Sequence, residues 1–183
     1  MTALVPLANG FEDIEAITII DVLRRGGVEV TTASITDTKS VLSAHNIRLE
    51  ADALFSDVKD REFEVIVLPG GGEGTQNLKH CEALLERIRQ QREAGKLLAA
   101  ICAAPTVLEE AEVIEPGVHV TCYPSMYTEM LRPVNTAPVV VDQGFITGNG
   151  PGAATMFSLV LLSELAGERT AAKVARAMLA EMP

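Results

Sequence analysis

Residues 96–105 read KLLAAICAAP. The apolar run from Leu97 to Ile101 has the length and composition of a strand that is buried on both faces of a parallel sheet. Cys102 follows at once, and the residues from Ala103 to Ala111 have the pattern of a helix. A strand that gives way to a helix within one or two residues predicts a tight turn that holds the Cys102 thiol, the outline of a nucleophile elbow.

The same alternation of strand and helix continues on both sides of this turn, which favours an α/β protein with helices on the faces of a parallel sheet. The predicted strands are Ala3–Leu7, Val28–Ser34, Glu64–Leu68, Lys96–Ile101 and Val118–Cys122, with a hairpin of Val139–Asp142 and Phe145–Thr147. The predicted helices are Glu12–Arg25, Leu78–Ala94, Ala103–Ala111, Ala153–Leu165 and Glu168–Ala180, with a short helical turn at Met126–Leu131. Val41–Leu49 fits a hairpin only weakly, because polar residues interrupt it. No repeat or linker interrupts the pattern, so residues 1–183 are predicted to form a single domain.

The composition excludes several classes of function. The 183 residues carry 15 Lys and Arg against 25 Asp and Glu, a formal charge of −10. Such a chain lacks the basic surface that stable binding to nucleic acids or anionic membranes requires. The longest apolar stretch runs only from Leu97 to Ala104, too short for a membrane span. The N-terminal MTALVPLANG has none of the features of a secretion signal, so we expect a cytoplasmic protein.

The three cysteines, Cys81, Cys102 and Cys122, show no C-x-x-C spacing. Their number and spacing argue against a disulfide framework and against a structural zinc site, and we expect no bound metal. The position of Cys102 before a helix predicts that the helix N-terminus lowers the pKa of its thiol. The alternative is a small buried apolar residue, because free cysteines are among the most buried residue types. For Cys122 we favour that alternative.

Two further segments follow predicted strands. The loop Pro69–Gly74 carries four glycines, which let the backbone approach a ligand and direct N–H groups at developing negative charge. It is not a nucleotide-binding motif, because Thr75 stands where the dinucleotide fingerprint needs glycine. A purely structural turn is the alternative.

Acidic residues crowd the first turn of the first predicted helix. Glu12 and Asp13 are interpreted as complementing the helix dipole. Glu15 shares a helix face with Glu12, and a carboxyl held near other acids in a cleft has a raised pKa. A protonated Glu15 could donate to a thiolate and carry protons. None of the histidines, His45, His80 and His119, adjoins Cys102 in the sequence, so a Cys-His dyad is not evident.

Four motifs together resemble the DJ/ThiJ/PfpI superfamily, and within it the branch of ThiJ-like and Parkinson's-disease-linked protein deglycases. They are ALV at 3–5 followed by GFEDIE at 10–15, VIVLPGG at 65–71, AAICAAP at 99–105 and TGNGPG at 147–152. The resemblance covers nearly the whole chain. It implies a flavodoxin-like three-layer α/β/α sandwich with a mostly parallel central sheet, usually assembled as a homodimer.

The resemblance also implies roles for individual residues. Cys102 falls on the family's reactive thiolate and Glu15 on the glutamate that hydrogen-bonds it. The backbone N–H groups of Gly71 and Ala103 fall where the family forms its oxyanion site. The implied binding positions are Gly70, Tyr123, Gly150 and Pro151, and Asp21 and Arg25 match positions on the dimer side.

Two residues depart from the family pattern. Ala103 stands where the peptidases of the family have histidine after the cysteine, so peptidase activity is not expected. Tyr123 stands where many members of the deglycase branch have histidine. Since a tyrosine with a pKa near 10 is a poorer base at neutral pH, its hydroxyl is expected to orient substrate instead.

The residues and the resemblance support two hypotheses. The first is a cofactor-independent enzyme that acts on α-oxoaldehydes such as methylglyoxal and glyoxal, either free or as early adducts on proteins and nucleotides. In it the Cys102 thiolate adds to the aldehyde and Glu15 moves protons. The second is a redox sensor or stress chaperone that signals through oxidation of Cys102.

Overall fold

A seven-stranded sheet forms the middle layer of the computed structural model, which describes residues 1–181. The strands of the chain are β1 (Thr2–Leu7), β2 (Glu29–Ser34), β3 (Ser40–Leu42), β4 (Arg48–Glu50), β5 (Ala53–Leu54), β6 (Val65–Leu68), β7 (Leu97–Ile101), β8 (Val139–Asp142) and β9 (Phe145–Gly148). The sheet order is β5-β2-β1-β6-β7-β9-β8, and only β8 runs antiparallel. The predicted mostly parallel α/β architecture is confirmed.

Helices cover both faces of the sheet. They are α1 (Asp13–Arg25), α2 (Phe55–Val58), α3 (Gly72–Lys79), α4 (Glu82–Glu93), α5 (Pro105–Glu110), α6 (Ala154–Ala166) and α7 (Glu168–Met178), with 3-10 turns at Pro124–Glu129 and Pro151–Ala153. The apolar residues of α1, α6 and α7 pack into one core cluster, and those of α2 to α5 into another on the opposite face. In the described part of the chain, no helix has the length and apolar character that crossing a bilayer requires.

The residues at the two ends of helix α1 explain where the helix begins and ends. The Glu12 carboxylate accepts a hydrogen bond of 2.8 Å from the Glu15 N–H and so caps the helix. Arg24 and Arg25 lie in the last turn, where cations complement the helix dipole, and Gly26 ends the helix. Because Glu15 lies in the first turn, this cap fixes the position of its side chain at the edge of the sheet.

Three predicted elements differ from the structure. Val118–Cys122 was expected to be a strand, but β9 already has β7 and β8 as neighbours, so no ladder position remains beside it. The segment is held instead by hydrogen bonds from the His119 N–H to Asp142 and from the Thr121 N–H to the Thr147 hydroxyl.

The other two differences concern helices. Leu78–Ala94 divides into α3 and α4 at His80 and Cys81, and α3 begins earlier, at Gly72. The helix predicted for Ala103–Ala111 is the shorter α5, because residues 102–104 form the turn. The weak hairpin expected at Val41–Leu49 is confirmed as the antiparallel pair β3 and β4, whereas β5 and α2 were not predicted.

The topology brings three loops together at one edge. From β1 the chain moves to β2 on one side, and it later returns to β6 on the other side of β1. In open parallel sheets, ligands bind at such a reversal, beyond the carboxyl ends of the strands. The loops that follow β1, β6 and β7 meet there, and they carry Glu12, Gly70 and Cys102.

Candidate active site

Cys102 lies in a left-handed turn directly after β7, with φ of +63°. Its N–H donates to the Gly148 carbonyl (2.9 Å), and its carbonyl accepts from the Tyr123 N–H (2.8 Å). Residues other than glycine rarely adopt this conformation, which costs about 1–3 kcal/mol and persists only where neighbours impose it. The thiol residue is 8% exposed. The structure therefore confirms the predicted tight turn between strand and helix.

The glycine loop packs against this turn with backbone only. A Cβ at Gly70 would lie 2.8 Å from the Cys102 Cβ and 2.8 Å from Glu15 Oε2. Gly71 has φ of +97°, and a Cβ there would lie 2.3 Å from the Gly10 carbonyl oxygen. These positions admit no side chain, and the backbone of the loop can therefore reach the thiol and the carboxyl directly.

Glu15 is fully buried beside the thiol. Its Oε2 accepts a hydrogen bond of 2.8 Å from the Gly70 N–H, and Oε1 has no hydrogen-bond partner among residues 1–181. Burial raises the pKa of Glu15 to about 7, against the lowering effect of the bonds to Gly70 and Cys102. The predicted direction is confirmed, but desolvation is the main cause and the charge of Glu12 a lesser one.

The pKa of the Cys102 thiol is raised to about 12, by burial first and by Glu15 second. The backbone N–H groups of Gly71 and Ala103 bond to the sulfur and act in the opposite direction. The predicted lowering of this pKa is therefore wrong, because burial and the nearby carboxylate outweigh the two N–H groups. Because the pKa of Glu15 is about 7 and that of Cys102 about 12, the pair holds two protons below about pH 7 and one proton, on the sulfur, above it.

A cavity of about 460 Å³ lies beside Tyr123, whose N–H donates to the Cys102 carbonyl, and neither Cys102 nor Glu15 is among its lining residues. Tyr123, Gly150 and Pro151 line it, as do Asn149 and Met156, and none of its lining residues is charged. The Tyr123 ring would lie 3.2 Å from a Cβ on Gly150. Three of the four predicted binding residues thus share one cavity, while Gly70 lies against Cys102 and Glu15.

The sequence reasoning did not single out Asn149 or Met156. Asn149 stands inside the TGNGPG motif and could have been found from it. Met156 carried no signal, because it lies among the apolar residues of a buried helix and only the packing of α6 exposes it to the cavity.

The histidines take part in other contacts. His45 Nδ1 lies 2.6 Å from Asp13 Oδ2, and the ion pair raises the pKa of His45. His119 Nδ1 lies 2.9 Å from Asp142 Oδ2. His80 is exposed at the end of α3. In the described part of the chain, no histidine is hydrogen-bonded to Cys102.

One group of side chains has the spacing of metal ligands. Glu12, Asp13 and His45 place one ligand atom each within 4.8 Å of one another, the only such group within residues 1–181. The ion pair of Asp13 with His45 and the capping bond of Glu12 already use these groups. Cys102 and Glu15 are not part of the group.

The model of the DJ-1/PfpI family matches residues 1–164. The chain is 40% identical to Protein DJ-1 homolog B of Arabidopsis thaliana over 174 residues, which cover 93% of this chain and 40% of that protein. The chain thus spans less than half the length of this relative.

Two other proteins are similar over nearly their full length. Glutathione-independent glyoxalase DJR-1.2 of Caenorhabditis elegans is 35% identical over 159 residues, 85% of this chain and 83% of that protein. The solved structure of oxidized DJ-1 from Toxoplasma gondii superposes with a TM-score of 0.94 at 34% identity, covering 98% of both chains. This likeness agrees with the flavodoxin-like sandwich implied by the sequence motifs.

Proposed function

Because the chain belongs to the DJ-1/PfpI family, we propose that it is a cofactor-independent enzyme that converts α-oxoaldehydes such as methylglyoxal into 2-hydroxy acids. The observation that carries this proposal is the buried Glu15 carboxyl, whose pKa is about 7, beside the Cys102 thiol. A relative that bears the name of a glutathione-independent glyoxalase supports the enzymatic assignment.

The reaction begins with addition of the thiol to the aldehyde. The Cys102 sulfur bonds to the aldehyde carbon, the carbonyl electron pair moves to oxygen, and the thiol proton passes to Glu15. The N–H groups of Gly71 and Ala103, which bond to the sulfur in the free protein, stabilise the developing oxyanion on the adjacent atom. Return of the proton from Glu15 to this oxygen gives a neutral hemithioacetal and an ionised Glu15.

Glu15 then moves a proton between neighbouring carbons. Its carboxylate removes the hydrogen of the former aldehyde carbon as a proton and leaves an enediolate. The hydroxyl proton on that carbon passes to the neighbouring oxygen, and the protonated carboxyl delivers its proton to the adjacent carbon. The product is a thioester of the 2-hydroxy acid. A carboxyl with a pKa of about 7 suits both steps, because near neutral pH it accepts and donates a proton with similar ease.

Hydrolysis completes the cycle. Water adds to the thioester carbonyl, the carbon–sulfur bond breaks, and the thiol regains its proton as the hydroxy acid leaves. The net reaction is the addition of one water molecule to methylglyoxal to give lactate. Early adducts of α-oxoaldehydes on proteins or nucleotides would share the first steps, so deglycation belongs to the same proposal.

In this proposal Tyr123 orients the substrate and does not act as the base. Its ring lines the uncharged cavity, and it is 45% exposed. With Asn149 and the backbone of Gly150, its hydroxyl can hold the ketone end of a substrate whose aldehyde carbon meets Cys102. Glu15 is then the proton carrier of the reaction.

We also propose a homodimer in the cytoplasm. Ile14 and Ile17 are 57% and 48% exposed on the outer face of α1, an apolar surface beside the Asp21 and Arg25 ion pair. All three cysteines are unpaired thiols, which fits a reducing compartment.

A second candidate function is redox sensing. Hydrogen peroxide would oxidise the Cys102 thiolate to sulfenate and a second equivalent would give sulfinate, with water released each time. The bonds from Gly71 and Ala103 and a protonated Glu15 are placed to hold the sulfinate oxygens. The similar solved structure from Toxoplasma gondii is described as oxidized.

One set of variants tests both functions. Lactate formed from methylglyoxal without glutathione is measured for the native protein, Cys102→Ser and the matched control Cys122→Ser. Loss of lactate only in Cys102→Ser supports the enzyme, and undiminished lactate in that variant excludes the mechanism. Mass spectrometry after mild peroxide treatment should locate two added oxygens on Cys102. Oxidation mainly of the more exposed Cys81 would exclude the sensor.

A further inference from the structure

A cavity of about 610 Å³ lies between the C-terminal end of α1 and helix α7. Arg25, Gly26 and Gly27 line it from the side of α1, and Arg169 and Lys173 from α7. Arg25 and Glu15 stand at opposite ends of α1, about 15 Å apart along the helix axis. We propose that this cavity, the α1–α7 groove, binds a small multivalent anion that carries phosphate groups.

The charge of the groove is opposite to that of the molecule. The formal charge of the chain is −10, yet the residues that line the groove include three cations and no acid. Asp21 neutralises part of Arg25, because its carboxylate accepts from Nε at 2.6 Å. The terminal guanidinium nitrogens of Arg25 have no other partner among residues 1–181.

The two cations of α7 repel each other and so destabilise the helix. Arg169 and Lys173 are four residues apart and share a helix face, and like charges at this spacing destabilise a helix. Neither forms an ion pair or a side-chain hydrogen bond within the described residues. A bound anion would convert this repulsion into attraction.

The backbone at Gly26 is tightly packed, and the backbone at Gly27 borders open space. A Cβ at Gly26 would lie 2.2 Å from a Leu162 methyl carbon, so the end of α1 packs tightly on α6. Gly27 has φ of +80°, and a Cβ there would meet nothing within 4 Å. A ligand can therefore approach the backbone at Gly27, whereas the tight packing of Gly26 on α6 keeps the groove from closing.

The shape and donor types favour phosphate over other anions. Two guanidinium groups offer paired N–H donors that match phosphate oxygens, and the ammonium of Lys173 adds a third positive charge. The volume falls in the range of small-molecule sites. A nucleic acid is disfavoured, because the acidic remainder of the surface repels a long polyanion.

The test is calorimetric titration of the native protein with inorganic pyrophosphate at constant ionic strength. We expect saturable binding of pyrophosphate to the native protein. The double variant Arg169→Gln with Lys173→Gln should weaken this binding by about tenfold or more, because two charge-assisted donors are lost. Arg176→Gln is the matched control, because Arg176 lies on the same helix outside the groove. It should weaken binding by less than about twofold.

Three outcomes would overturn the proposal. They are the absence of saturable binding to the native protein, equal weakening in the double variant and the control, and binding of succinate as tight as that of pyrophosphate. All three substituted residues are exposed, and thermal unfolding monitored by circular dichroism checks that each variant folds. Lactate formation should stay unchanged in the double variant, which separates this groove from the Cys102 site.

Discussion

Cys102 and Cys122 are two buried thiols whose surroundings differ. Cys102 is held in a left-handed turn, with the Glu15 carboxyl and two backbone N–H groups around its sulfur. Cys122 lies in an extended segment, and its sulfur donates to the Tyr123 carbonyl at 3.6 Å. Burial raises the pKa of both thiols, that of Cys122 to about 11 and that of Cys102 to about 12.

The thiol with the higher pKa is the one that we propose as the nucleophile. A thiol can attack without prior ionisation if a base receives its proton as the bond forms. In the proposed mechanism Glu15 is that base for Cys102, whereas Glu109 and Glu129 act on Cys122 only through their charge. The two sites teach that a proton acceptor in contact, and not the pKa of the isolated thiol, distinguishes a nucleophile from a core residue.

The largest expected effect separates the two sulfurs directly. Cys102→Ser should lower kcat/KM for lactate formation from methylglyoxal by about ten-thousandfold, because the nucleophile is lost. Cys122→Ser should change it by less than about threefold, with a moderate loss of stability from a buried hydroxyl. Comparable losses of activity in both variants would show that Cys102 and Cys122 do not differ in their importance for the reaction.

Glu15→Gln tests the proton acceptor. It should lower kcat by about thousandfold, while Glu110→Gln, the same change on an exposed residue of α5, should leave kcat unaltered. The variant should also lower the pKa of Cys102 and leave that of Cys122 in place, because only Cys102 loses a neighbouring carboxylate. The pH profile of alkylation at each cysteine, followed by mass spectrometry, measures this. Slower alkylation of Cys102 in the variant would contradict it.

The burial of Glu15 has a cost that depends on pH. Its pKa is raised from 4.5 to about 7, so its contribution to stability is fully present below 4.5 and is lost as the pH rises through about 7. Glu15→Gln should therefore raise the free energy of unfolding by up to roughly 3 kcal/mol above that pH and by little in acid. Denaturant unfolding at both ends of the range measures the difference. A constant effect at all pH values would show that Glu15 does not titrate in the fold.

The smallest expected effect concerns the residue between the two thiols. The Tyr123 N–H donates to the Cys102 carbonyl, and its own carbonyl accepts from the Cys122 thiol. Tyr123→His would place a base of near-neutral pKa in the cavity and should raise kcat by about fivefold. Tyr123→Phe should mainly raise KM, since it removes a group that orients substrate. Steady-state kinetics with methylglyoxal separates these outcomes.

The local part of the site could be predicted from the sequence. The strand that ends on Cys102, the glycine loop after β6 and Glu15 in the first turn of α1 are all local patterns, and the order of a parallel sheet brings them to one edge. The role of Val118–Cys122 could not be predicted locally. The segment has the composition of a strand, but β8 occupies the ladder position beside β9.

The pKa of Cys102 could not be predicted either. A position before a helix describes only the groups that lower it, whereas the burial of the thiol and the contact with Glu15 depend on the whole fold. The contact of His45 with Asp13 is of the same kind, since it joins the β3–β4 hairpin to α1 over a separation of 32 residues.

The backbone contact of Gly10, Gly71 and Gly74 sets where new specificity can arise. A Cβ at Gly74 would lie 2.8 Å from Gly10 carbonyl carbon, and one at Gly71 is equally excluded by Gly10. Mutational libraries at these three positions should yield few folded clones. Selection for a different substrate therefore cannot act through substitutions there. The loop from Tyr123 to Pro138, which contributes side chains to the cavity, is the part of the site that can be rebuilt.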